Sequence, residues 1–372
     1  MSDGSPDTNT WRASAPGRVN LIGEHVDYNH GWVLPMAIGQ RVSLDARPAE
    51  GCWAVFESDG APEPVRLDLS HPEPQATPDW GRYVQGVVWE FIRVTGATLP
   101  GFHATLHSDI PQGAGLSSSA ALEVAVATLL ETITGHTLKA LDKALLCQHV
   151  EHTYAGVPCG LMDQAASTLC EADHVLLLDC VTHEYRQVPF EDPNAVVLIA
   201  NSGVSHQLAD GAYARRRQEC EEVLAILDKP HYRDVSMADL GKAHERLGPV
   251  RYRRARHVLS ENGRTLSMVN ALKQADWMTV GELLYAGHAS IRDDFEVSCT
   301  ELDYLVETAH DLGSEKGVIG SRMTGGGFGG STVTLVHKNA VARVQSALEN
   351  AYRDRFGFSP SCFVARPSHG AC

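Results

Sequence analysis

Apolar and polar positions alternate with a period that changes along the chain, and the changes mark the elements. Segments 41–46, 53–57 and 102–106 have β-type content, so the first third is expected to be strand-rich around a Pro-rich connector at 71–80. Serines open the Ala-rich apolar stretch 117–134 and Gly135 closes it, as in a capped and well-buried helix. A second helix is expected over 141–154. After a Pro-bounded break at 189–193, the run 195–200 reads as a buried strand, and 213–312 is mostly helical in pattern. The end of the chain offers a strand at 318–324, a glycine loop, a strand at 331–336, a helix at 340–353 and a last strand at 362–365. The break near residue 190 is the expected domain junction, and no internal repeat is found.

Composition narrows the classes of partner. A chain of 372 residues with 43% hydrophobic content suits two or three domains with substantial cores. Its net charge of -15 opposes nucleic-acid binding, and the short run Arg251-Tyr252-Arg253-Arg254-Ala255-Arg256 reads as a solvated, ion-paired helix face. Residues 1–10 lack the cationic head and apolar core of a signal peptide, and no apolar run reaches membrane length, so no membrane partner is expected. Nine cysteines without a C-x-x-C pair fit reduced thiols in a cytoplasm.

Candidate chemistry concentrates in a few segments. From Gly17 to Asn29, one guanidinium (Arg18), two carboxylates (Glu24, Asp27) and an imidazole (His25) crowd beside core-forming sequence. This reads as a short strand ending near Ile22 and a polar loop facing a ligand. Pro111 to Ser119 joins a strand to the buried helix, so backbone N–H groups and the helix dipole converge where small residues admit an anion. Ser118 replaces the third glycine of a dinucleotide fingerprint, no Gly-Lys-Ser/Thr follows, and Leu116 stands where a ribokinase-like base would be. The three serines suit phosphate or a magnesium shell, or plain N-capping.

Gly325 to Gly330 matches G-x-G-x-x-G, but a strand follows where a Rossmann loop needs a helix. Close approach to a ligand or to another loop is the better use for so many glycines, with a hairpin as the plain alternative. His149-Val150-Glu151-His152 lacks a histidine needed for a zinc site, although Glu151 can still face a hard cation. Asp163 is open to two readings, a helix N-cap or a positioned base.

Together these segments resemble the galactokinase branch of the GHMP family of small-molecule kinases, over nearly the whole chain. The opening stretch is similar to the galactokinase signature, the serine loop to the second GHMP motif, and Met323-Thr324-Gly325 to Ser331 to the third. Glu151-His152-Thr153, Gly160-Leu161-Met162-Asp163-Gln164, Asn201-Ser202-Gly203 and Tyr213 to Arg217 are also similar. Small departures are Val26, His30 and Trp32, of which the last two are expected to bear on sugar preference, and Ser331 in place of a frequent cysteine.

The resemblance implies a two-domain α+β fold. An N-terminal unit, 1–190, would have left-over-right βαβ features, and a ferredoxin-like unit, 191–372, would have a last strand free to return to the first, with the active site in the cleft between them. It implies ATP-dependent phosphorylation of the C1 hydroxyl of α-D-galactose with Mg2+, the first committed step of galactose catabolism, by a monomer. The alternatives are a sister kinase for N-acetylgalactosamine or arabinose, or a non-catalytic galactose/ATP sensor. Asp163 would be the base, and Arg18 would hold it ionised and stabilise the transferring phosphoryl group. Glu24, His25, Asp27, Gly160 and Tyr213 would contact the sugar. Gly113, Ala114, Gly115, Leu116, Ser117, Ser118 and Ser119 would wrap the ATP phosphates. Ser58, Trp80 and Tyr83 would lie around the nucleotide, and Ser119 and Glu151 would bind magnesium.

Overall fold

A computed structural model describes residues 10–205 and 211–372. The chain opens with β1 (Trp11–Asn20), β2 (Trp32–Val33), β3 (Pro35–Pro48), β4 (Trp53–Ser58) and β5 (Ala61–Asp68), followed by α1 (Gly81–Thr95), β6 (Phe102–Ser108) and α2 (Ser118–Thr134). Five of these strands form a sheet in the order β1-β3-β6-β4-β5, antiparallel except for the β4–β6 pair. Along β6, Phe102, Ala104 and Leu106 are buried while His103 and His107 face solvent, the alternation of a sheet with one wet face. Helix α2 is buried from Ala120 to Leu130 on every face, which explains its nearly uniform apolar sequence. The strand-rich reading of this region omitted β5 and the helix α1.

Next come α3 (Ala140–Val150), a π turn at Glu151–Ala155 that prolongs it, α4 (Met162–Leu169), β7 (His174–Asp179) and β8 (Tyr185–Pro189). Strands β2, β7 and β8 form a small antiparallel sheet that the sequence pattern did not suggest.

Beyond Pro189 lie β9 (Ala195–Ser205), α5 (Ala212–Leu227), α6 (Met237–Lys242), α7 (His244–Lys273), α8 (Trp277–Ser290), α9 (Thr300–Leu312), β10 (Val318–Thr324), β11 (Gly329–His337), α10 (Val341–Phe356) and β12 (Ser361–Ala365). The four strands pair antiparallel in the order β10-β11-β9-β12. With helices after β9 and after β11, this is the β-α-β-β-α-β arrangement of a ferredoxin-like fold. The last strand stays in this sheet. Only the residues after it return to the first sheet, where Ser368 N donates to Ala37 O (3.0 Å) and Cys372 N to Ser14 O (2.9 Å).

The basic run on α7 is ion-paired, but it is not simply solvated. Arg251 reaches Glu222 (2.6 Å) and Arg253 reaches Glu296 (2.7 Å). Arg254, at 2% exposure, lies under the surface and bridges Glu219 and Glu296. All nine cysteines are free, and among the described residues no helix is long and apolar enough to cross a membrane.

Candidate active site

The register of β1 against β3 slips between Pro16 and Arg18, a bulge that re-aims the Arg18 side chain. A Cβ on the intervening Gly17 would stand 2.7 Å from Leu116 O, so only glycine lets β1 approach the serine loop this closely. Arg18 is buried and binds Asp163 with both prongs, Nε to Oδ1 and Nη2 to Oδ2, each at 2.8 Å. Its Nη1 donates to Gly115 O (2.8 Å). Burial alone would lower the guanidinium pKa, but Asp163 and Glu24 raise it, so the cation is firmly held. Asp163 sits in the first turn of α4, where the helix dipole favours a carboxylate.

Ser117 corrects the capping expectation. It occupies the N-cap of α2 in a left-handed conformation, but its hydroxyl donates to Asp163 and makes no cap hydrogen bond. The first amides of α2 therefore have no side-chain cap and point where an anion can bind. The glycine loop of 325–330 serves close approach to another loop. A Cβ on Gly325 would lie 2.7 Å from Gly115 O, and Ser331 Oγ donates to Ala114 O (2.7 Å).

Around this pair lies a cavity of about 310 Å³, walled by Arg18, Asp163, the 113–119 loop, Glu24, His25, Asp27 and Tyr213. His25 is neutral there. Burial pushes its pKa down to about 3, its Nε2–H donates to Gly326 O (3.2 Å), and Tyr28 OH donates to its Nδ1 (2.8 Å). Burial, with help from Asp163 and Glu24, pushes Asp27 up to about 7. Gly160 packs on Asp27 so closely that an added Cβ would coincide with the carboxylate. Glu24 is raised by burial, against the pull of Arg322 and Arg18, and it accepts hydrogen bonds from Gly325 N (2.8 Å) and Asn20. Tyr213, on α5, stacks near His25 and Tyr28, with ring centroids at 5.5 and 5.2 Å.

A second cavity, of about 730 Å³, is walled by Ser58, Trp80 and Tyr83 and shares Ser118 and Ser119 with the first. Every residue to which the resemblance assigns a catalytic, sugar, nucleotide or metal role thus borders one of the two cavities, except Gly160, which backs Asp27. His30 and Trp32 do not border either of them. His30 packs on His231 (5.1 Å) and Trp32 lies under Arg233 (4.4 Å), so any bearing of theirs on the sugar is through packing and not by direct contact.

The donor set fits a magnesium ion. Ser119 Oγ donates to Glu151 Oε1 (3.1 Å), which brings a hydroxyl and a carboxylate together as magnesium takes them. Both are hard oxygen donors. Burial and then Asp163 raise the pKa of Glu151, while burial and then Glu151 raise that of Glu123. Gln164 ties these two carboxyls together, donating to Glu151 (2.5 Å) and Glu123 (3.2 Å). Glu123 and Gln164 had no assigned role in the sequence. The available signal is a carboxylate inside the largely apolar run 120–130, four residues after Ser119.

Comparison with known proteins first defines the class. Residues 82–171 match the GHMP kinases N terminal domain, and residues 268–354 match the GHMP kinases C terminal domain. The fold extends to the mevalonate kinase of Methanococcus jannaschii, at 16% identity and a TM-score of 0.72 over 98% of this chain and 100% of that one. Residues 4–48 match the galactokinase galactose-binding signature.

The chain is 45% identical to the galactokinase of Bos taurus over 96% of its own length and 91% of that protein, and 43% identical to that of Streptomyces coelicolor over 96% and 92%. The crystal structure of Lactococcus lactis galactokinase complexed with galactose matches at 33% identity and a TM-score of 0.92, covering 98% of this chain and 95% of that one. The chain belongs to the galactokinase family.

Proposed function

We propose that this chain transfers the γ-phosphoryl group of ATP to the C1 hydroxyl of α-D-galactose. The observation that carries the proposal is the two-pronged Arg18–Asp163 pair beside an anion-ready helix N-terminus, with one cavity the size of a sugar and a larger one beyond.

Galactose occupies the smaller cavity, with C1 toward Asp163. The carboxylate accepts the proton of the attacking hydroxyl, and Ser117 and Arg18 fix its orientation. Arg18 also offsets charge that gathers between donor and acceptor, where a buried cation is most effective. Asp27 and Tyr213 select the axial 4-hydroxyl, while Glu24 and His25 contact other hydroxyls. The wrong stereochemistry leaves buried polar groups unmatched, which costs more than a lost apolar contact.

The nucleotide base lies against Trp80, Tyr83 and Ser58, and the phosphates lie along 113–119. Ser119 and Glu151 hold Mg2+, which when bound neutralises phosphate charge. On this proposal the chain divides into 1–190 and 191–372, because the first two sheets draw their strands from before Pro189 and the third from after Ala195. A monomer suffices, since one chain supplies the walls of both cavities. Nine free thiols suit the cytoplasm.

ADP release measured over a panel of galactose, N-acetylgalactosamine, arabinose and glucose tests the substrate. Galactose is expected to give the highest kcat/KM, and preference for another sugar would overturn the assignment.

A further inference from the structure

Helix α7 turns a buried polar stripe toward the loop that carries the sugar-facing residues. His257, Glu261 and Thr265 stand at i, i+4 and i+8, on one helix face, and all three are fully buried. His257 Nε2–H donates to Glu24 O (3.0 Å). Glu261 Oε1 accepts from Gly23 N (2.9 Å) and Glu24 N (3.4 Å). The neighbouring Asn262 Oδ1 accepts from Trp32 N (3.0 Å). Backbone groups of the loop that leave the β1 ladder are thus satisfied from a helix more than 200 positions later in the chain.

Glu261 is the centre of this arrangement. Besides the two loop amides, it faces Arg322 Nη1 (2.8 Å) and Arg264 Nε (2.7 Å). Burial alone would raise its pKa, but Arg322, Arg264 and the Gly23 amide hold it well below the usual carboxylate range. Arg322 is itself fully buried and its charge also acts on Glu24. Gly287, on α8, closes the cluster: a Cβ there would lie 2.6 Å from Arg322 Nη1 and 3.5 Å from Glu261 Oε2. Glu261 borders neither cavity, so these contacts do not involve the sugar directly.

We infer that Glu261 is a positioning residue for sugar recognition. By gripping the Gly23–Glu24 backbone from α7, it holds Glu24, His25 and Asp27 in one orientation toward the cavity and so sets affinity for the sugar without touching it. The inference rests on the galactose proposal above. Each partner of Glu261 is a donor, so an amide in its place must turn its own N–H groups against one of them. The amide also removes the charge that balances Arg322 and Arg264 beneath the Gly23–Glu24 backbone, whereas the nucleotide cavity is walled by other elements.

The test is steady-state kinetics of Glu261→Gln with galactose and ATP varied separately, alongside thermal unfolding. Galactose KM is expected to rise roughly tenfold or more, the cost of one mispaired buried group, with ATP KM within about twofold of wild type. Gly287→Ala presses on the same cluster without changing charge, is expected to show the same split at smaller amplitude, and decides the matter if the first variant does not fold. Folded variants that keep the wild-type galactose KM, or that raise both KM values alike, overturn the inference even if they melt earlier. A wild type without galactose-dependent ADP release instead overturns the parent proposal, and this inference with it.

Discussion

Arg18 and Asp163, 145 residues apart in sequence, meet as a planar fork on a carboxylate, with both hydrogen bonds at 2.8 Å. A lysine keeps the charge but offers a single point in place of the fork and abandons the third contact, to Gly115 O. Arg18→Lys is therefore expected to lower kcat by roughly 10²-fold, the scale of losing one oriented donor. Turnover in a folded, purified variant checks this, and near-normal turnover would mean that only net charge matters at this position.

Asp27 supplies a pH signature. Its pKa of about 7 places an ascending limb of kcat/KM for galactose near neutrality, because the ionised carboxylate is the better acceptor for sugar hydroxyls. Asp27→Asn is expected to flatten that limb and weaken galactose binding. The ligand-free stability has the opposite slope. Between about pH 4 and 7 the folded protein keeps a proton that the unfolded chain has released, so stability falls as pH rises through this window. Thermal unfolding at several pH values should show this fall in the wild type and less of it in Asp27→Asn.

Gly160 is held to glycine by the Asp27 carboxylate behind it. Gly160→Ala should displace Asp27 and raise galactose KM by roughly tenfold, the scale of overpacking a tight site, while leaving ATP KM unchanged. Equal effects on both substrates would argue for a general loss of structure.

Glu151 should govern the metal requirement. Glu151→Gln removes the charged donor beside Ser119 and is expected to raise the Mg2+ concentration for half-maximal activity by roughly tenfold or more. Galactose binding, measured by calorimetry without nucleotide, should be unaffected. An unchanged Mg2+ dependence would place the ion elsewhere.

The sequence was most informative where local chemistry decided the structure. The apolar run of α2, the glycine loop before β11 and the charged stretch after β1 each carry their own signal within a dozen residues. Elements set by distant contacts were harder to see. Strand β2 is two residues long and exists by pairing with β7, far along the chain. Gly81 and Gly86 weaken the helical signal of α1. Ser117 looked like a cap, but its hydroxyl is drawn to Asp163 on another element. On α7, the buried positions of His257 and Glu261 carry no local signal, because the loop backbone they satisfy lies far away in the chain.

On the proposed mechanism the decisive step is proton transfer from the attacking sugar hydroxyl to Asp163, oriented by Arg18. It is tested most directly by galactose-dependent ADP release from Asp163→Asn, measured beside wild type on protein shown by calorimetry to bind galactose. A loss of roughly 10² to 10⁴ in turnover with galactose affinity retained is expected for removal of a general base. Turnover near the wild-type rate would contradict the account.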